Sequence, residues 1–155
     1  MAKFAMTIDG WQSAAVAGTY ETVLALKGAA AVRGKLKSIK VGGAGEAAQD
    51  VQMSLRIGRA DQTGDGTSTP LVPTKKHPGS AASGMTGGHT FTVEPTTKEA
   101  THLLQMGYNS RAGLALQWPE GEEPVWGGGT TTLYVAIAPG AAVAVKSDVT
   151  IEWEE

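Results

Sequence analysis

A chain of 155 residues fits one domain and is long enough to bury a sizeable core without disulfides or structural metals. Its lack of cysteine excludes disulfides, thiolate metal sites and a cysteine nucleophile. A formal net charge of -2 provides no broad basic field for nucleic acid, and 21 glycines against 6% aromatic residues point to many tight turns between short strands.

Phe4, Met6 and Ile8 share one parity, with Lys3, Thr7 and Asp9 opposite, which predicts a first strand ended by an Asp9-Gly10 turn. This alternation is unlike the unbroken apolar run of an export signal, and no later stretch approaches the roughly eighteen apolar residues that span a bilayer; a soluble protein without a membrane partner is expected. Tyr20 to Leu26 reads as a second strand with Tyr20, Leu24 and Leu26 on one face, although Ala14-Ala15-Val16-Ala17 before it suits a helix equally. Between Val32 and Val41 the apolar parity switches, with Val32 and Leu36 even and Ile39 and Val41 odd. One extra residue at Lys37-Ser38, a β-bulge, accounts for the switch. Gln49 to Arg59 is a further strand, with Val51, Met53, Leu55 and Ile57 inward.

Ala60 to Gly88 loses this periodicity and gathers glycine and proline, among them Gly64, Gly66, Pro70, Pro73, Pro78 and Gly79. It reads as one long irregular loop, at about 60–88, within a single domain spanning 1–155, and a connection of that length is expected to carry function. Its candidate partner contacts are Leu71, Val72, Lys75, Lys76, His77 and Met85. Phe91 and Val93 resume a strand that Pro95 stops, Thr97 to Leu104 suits a short helical turn, and Leu114, Leu116 and Trp118 alternate again.

The clearest strands come last. Leu133, Val135 and Ile137 share one side of the first, and Val143, Val145, Val149, Ile151 and Trp153 share one side of the second. Pro139-Gly140 between them predicts a C-terminal hairpin. About eight or nine strands with turn signals between them, no long helix and no fixed-period repeat make an all-β chain, an antiparallel β-sandwich of jelly-roll or related Greek-key topology.

Motifs for chemistry fail on spacing. Gly28 to Leu36 has one residue too many for a phosphate-binding loop and lacks its hydroxyl. Asp61-Gln62-Thr63-Gly64-Asp65-Gly66 begins like a calcium loop, but its twelfth position is Val72 where a glutamate is needed. His77, His89 and His102 are twelve and thirteen residues apart, unlike the close pair of a cupin-type metal centre, and His89 reads as a half-buried strand residue. Gly79 to Gly84 lacks the spacing of a nucleophile elbow, and Glu120, Glu122 and Glu123 lie around turn residues. No catalytic residue, metal, cofactor or small-molecule substrate is expected. Trp118 and Trp153 fit the apolar parity of their strands. Trp11 and Trp126 stand beside turns, where either an interface anchor or an edge-of-core plug fits.

The opening Met1 to Gly10, the run Pro124-Val125-Trp126-Gly127-Gly128-Gly129 and the ending Val149 to Glu155 give the chain a resemblance to the small β-sandwich proteins that decorate tailed-bacteriophage heads, the cement or head-stabilisation proteins. The resemblance implies a jelly-roll-like body, a homotrimer, and a position on the outer capsid surface of the virion after synthesis in the host bacterial cytoplasm. It implies the major capsid protein as partner, with an arm or loop clamping neighbouring shell subunits. The competing reading is a carbohydrate- or receptor-binding sandwich of a phage fibre or tail, which requires Trp11 or Trp126 to be exposed on a groove with polar side chains nearby.

Overall fold

The computed structural model describes residues 1–43 and 50–155, so Gln49, the expected start of the fourth strand, lies outside the described residues. Among the described residues twelve strands form: β1 (Lys3–Gln12), β2 (Glu21–Lys27), β3 (Arg33–Gly43), β4 (Gln52–Asp61), β5 (Thr67–Leu71), β6 (Thr74–Lys75), β7 (Thr86–Val93), β8 (Leu104–Asn109), β9 (Leu114–Gln117), β10 (Val125–Gly127), β11 (Thr131–Pro139) and β12 (Lys146–Glu154). The helical element among the described residues is one 3-10 turn, Gln62–Gly64.

All pairing is antiparallel, in two sheets of six strands. The first runs β10-β3-β12-β1-β6, with β9 sharing with β10 the edge of β3 that faces away from β12; the second runs β5-β7-β2-β11-β4-β8. Strands β1 to β4 alternate between the sheets, as do β8, β9, β11 and β12. The last two insert among the first four, β12 between β1 and β3 and β11 between β2 and β4. The order β1-β12-β3-β9 facing β2-β11-β4-β8 is a jelly roll, to which β5, β6, β7 and β10 are additions. The strand count therefore exceeds the sequence expectation because β5, β6 and β10 are two to five residues long and carry no readable alternation.

The expected C-terminal hairpin does not form. β11 pairs with β2 and β4, whereas β12 pairs with β1 and β3, so residues 140–145 carry the chain from one sheet to the other. Alternation fixes which face of a strand is buried, but it is silent about which strand lies alongside. β11 is in fact buried on both faces. Leu133, Val135 and Ile137 enter the main core, while Tyr134 and Ala136 join Ala25 and Ala60 in a second cluster beneath Tyr20 and Phe91.

The predicted bulge is present. Ser38 lies opposite Glu152 and Leu36 opposite Trp153, which leaves Lys37 as the extra residue and lets Leu36 and Ile39 both point inward. The bulges in β2 and β1 were not read from the sequence. Val23 separates the pairs Leu24–Val135 and Thr22–Ala136, so Tyr20 lies in the outer cluster and Leu24 in the core. Asp9-Gly10 is a bulge inside β1 and does not end the strand: Gly10 adopts φ 63° and its N–H donates to Asp148 Oδ1 at 2.6 Å.

Two more expectations are corrected. The stretch 60–88 is no single irregular loop, since it holds β5, β6 and the start of β7; Pro70 is tolerated because β5 is an edge strand. Thr97 to Leu104 forms no helical turn. It runs beside β4, with Asp61 N–H donating to Thr97, Glu99 N–H to Arg59 and Leu103 N–H to Ile57 at 2.8–3.1 Å. These bonds satisfy the backbone of β4 beyond the reach of β8.

The core gathers Phe4, Met6, Leu36, Ile39, Met53, Leu55, Ile57, Val149, Ile151 and Trp153, with the Phe4 and Trp153 rings stacked at a centroid distance of 5.7 Å. Met85 and Trp126 belong to it, each 2% exposed. The Trp126 ring occupies the space above Gly34, where a Cβ would come within 2.6 Å of it. As a core plug, Trp126 should cost about 3–5 kcal/mol of stability when replaced by alanine. Urea denaturation checks this, and a surface anchor would lose only about 0.5 kcal/mol.

Candidate functional site

Beyond Ala5, β6 no longer accompanies β1, and a groove opens between the edge of β1 and the strands of the second sheet. Its volume is about 620 Å3. Thr7, Ile8, Asp9, Gly10, Trp11 and Gln12 form one wall; Glu21, Thr22, Leu71, His89, Thr90, Phe91 and Glu94 form the rest. Trp11 is half-buried, packed on the core from the side while lining the groove, as is Leu71.

The polar groups here are held in place. The Glu94 carboxylate accepts from Thr22 N–H at 2.8 Å and Thr22 Oγ1 at 2.5 Å, and meets Lys98 Nζ at 3.0 Å. Glu21 Oε2 accepts from Ala14 N–H at 2.7 Å. Thr90 adopts φ 50°, an unfavourable backbone region for a β-branched residue, and its Oγ1 lies 2.9 Å from His89 Nδ1.

From Leu71 the chain crosses to the first sheet as a strap. Val72 is 83% exposed, and Lys75, Lys76 and His77 are exposed with it. The strap is anchored by Lys76, whose N–H donates to the Lys3 carbonyl and whose Nζ lies 2.7 Å from Glu152. Six of the eight residues proposed from sequence, Trp11, Leu71, Val72, Lys75, Lys76 and His77, therefore lie on the groove or the strap that borders it. Met85 and Trp126 do not; their burial in the core takes them out of the candidate surface. Sequence reasoning missed Asp9, Glu21, His89, Thr90, Phe91 and Glu94 as groove residues. The one available signal was Asp9-Gly10, taken as a turn instead of a bulge.

A second groove, also about 620 Å3, is lined by Trp118 and Gln117 together with Lys3, Lys37, Lys76, Glu120, Glu152 and Glu154. Trp118 is half-buried against the core, whereas Trp153 is buried as expected. Beside this groove the bulged Lys37 makes ion pairs with Glu123 and, at 3.4 Å, with Glu154, which Lys3 approaches at 3.3 Å. The Lys37 hydrogen bond holds Glu123 down to about 2, and the Glu123 bond in turn raises Lys37. Burial opposes ionisation of Glu154, but hydrogen bonds from Lys3 and Lys37 outweigh it and leave the group below its ordinary value. Because Glu123 is depressed in the folded state, its stabilisation is present above pH 4.5 and fades as the pH falls toward 2. Denaturant midpoints measured across that window should fall less steeply for Glu123→Gln than for the wild type, and the variant should be the less stable of the two at pH 7.

The other motif residues have structural employment. Asp61 Oδ1 caps the 3-10 turn, accepting from Thr63 N–H at 2.8 Å and Oγ1 at 2.9 Å, and Asp65 pairs with Lys27 at 2.7 Å. His77 sits on the strap, His89 is half-buried in the groove, and His102 Nδ1 lies 3.2 Å from the Tyr134 hydroxyl. No group of three or more His, Asp or Glu among the described residues is placed to hold a metal ion, and no helix among them is long and apolar enough to cross a membrane. Comparison with protein-family models, curated proteins and solved structures finds no match to this chain.

Proposed function

We propose that this protein is a bacteriophage structural protein that decorates the outer capsid surface and stabilises it by bridging neighbouring major capsid subunits. The observation that carries this reading is one continuous side of the jelly roll, where a strand edge that has no neighbouring strand among the described residues, a groove with an indole in its wall, and an exposed strap meet. Val72 offers apolar contact, Lys75 and His77 offer charge and hydrogen bonding, and the β1 edge offers backbone groups. A surface of that composition is suited to adhesion between proteins. A homotrimer belongs to the same proposal, because repeated contacts on one particle turn modest single-site affinities into firm attachment. Each bridge adds interface area that must be broken before the shell opens, so the role is mechanical and not catalytic.

Glycan recognition is the second reading, and Trp11 is the observation that favours it. The half-buried indole lines a groove beside the polar side chains of Asp9, Gln12 and Glu21, as that reading needs, with its other side packed on the core.

Co-sedimentation separates the two. Incubation with purified heads of the cognate phage should bring the protein down with the particles, and decorated heads should retain their genome to a higher temperature than bare ones. Failure to bind heads, combined with quenching of Trp11 fluorescence by an oligosaccharide, would transfer support to the second reading.

A further inference from the structure

We infer that the groove beside β1 takes an extended segment of a partner protein as an added strand, and that this segment carries basic side chains. The inference rests on the shell-binding reading and names the contact that reading needs.

Six consecutive residues, Thr7 to Gln12, line the groove. Side chains of a strand alternate between two faces, so a wall containing all six must run along the strand's edge. β6 pairs with that edge only at Phe4 and Ala5, and among the described residues the remainder of β1 pairs with β12 alone. The Lys76 N–H donates to the Lys3 carbonyl, so Lys3, Ala5 and Thr7 successively turn their backbone groups toward this side, and β6 engages the first two. Past the bulge, the Ser13 N–H donates to the Val145 carbonyl on the β12 side, which leaves the Gln12 groups facing the groove. An incoming strand thus meets ladder donors and acceptors near both ends of the groove, roughly 15 Å apart.

Charge selects the visitor. Asp9 and Glu21 face the groove beside Glu94, which is already paired with Lys98, and no lysine or arginine is among the described residues lining it. Trp11, Leu71 and Phe91 supply apolar surface for the aliphatic stems of lysine or arginine, whose heads then reach the carboxylates. A sugar would meet the same indole but would leave the ladder groups of Thr7 and Gln12 without a matching backbone. Strand addition satisfies the indole, the carboxylates and the edge together.

The test uses the full chain and two variants. Thr7→Pro deletes one N–H at an edge position that tolerates proline, and Asp9→Lys reverses an exposed charge. The probes are a ten-residue peptide alternating lysine and threonine, its glutamate counterpart, a soluble oligosaccharide, and purified heads; the readout is amide hydrogen exchange at single residues. The lysine peptide should slow exchange at Thr7 and Gln12 and the glutamate peptide should not, and each variant should bind the lysine peptide about ten-fold more weakly while keeping its circular dichroism. If Thr7→Pro does not fold, Asp9→Lys decides alone. Unchanged exchange at Thr7 and Gln12 with the lysine peptide overturns the inference. So does equal slowing by the glutamate peptide, slowing by the oligosaccharide instead, or protection already present in the free protein through pairing with a second copy. Protection by the peptide without binding to heads defeats the shell reading alone. Binding to heads with Thr7 and Gln12 unprotected defeats strand addition and leaves the shell reading standing.

Discussion

Everything in this fold depends on β11 and β12 being the central strands of opposite sheets. Each is flanked by two of the first four strands, β12 by β1 and β3 and β11 by β2 and β4, so the last residues of the sequence close what the first ones begin. Their inward faces, Leu133, Val135 and Ile137 from one and Val149, Ile151 and Trp153 from the other, belong to one apolar core. Long-range closure of this kind is entropically costly and is offset by burying large side chains completely. Bulges then adjust each strand locally. The one at Lys37 allows Leu36 and Ile39, of opposite parity, both to face inward and aims an ammonium at Glu123 and Glu154.

The buried face of most long strands was legible in the sequence, because period-two alternation is imposed by the pleat itself. Phe4-Met6-Ile8, Met53-Leu55-Ile57 and Val149-Ile151-Trp153 all point inward as their parity demands. The parity switch between Leu36 and Ile39 revealed a bulge for the same reason. Partner choice was not legible. The stretch from Thr130 to Trp153 reads as a hairpin because a Pro-Gly turn separates two alternating runs, yet the connection crosses the sandwich. Strands built from glycine, threonine and proline, such as β5 and the start of β7, left no pattern to follow. Gly87 and Gly88 are strand positions that lack a side chain because Met6 and Ser68 occupy the space it would need.

The candidate site was legible in part. Trp11, Leu71, Val72, Lys75, Lys76 and His77 were picked out from their positions beside a turn or within a stretch without periodicity, and they lie on the groove or the strap that borders it. Met85 and Trp126 had the same sequence credentials, but tertiary packing over Gly34 drew them inside. The acidic side chains of the groove come from β1, β2 and the segment after β7, and only the folding of the two sheets brings them to one place. A jelly roll leaves such lateral openings wherever an edge strand outlasts its neighbour. Here the two-residue length of β6 against the ten residues of β1 creates the opening.

The most direct measurement of the account is a reconstruction, at a resolution that separates strands, of phage heads carrying the bound protein. The account predicts density for this jelly roll on the outer face of the shell, with the β1 edge, the groove at Trp11 and the Val72 strap turned toward the junction of capsid subunits. A protein bound with that side facing solvent, or located on tail fibres and absent from the shell, would contradict it.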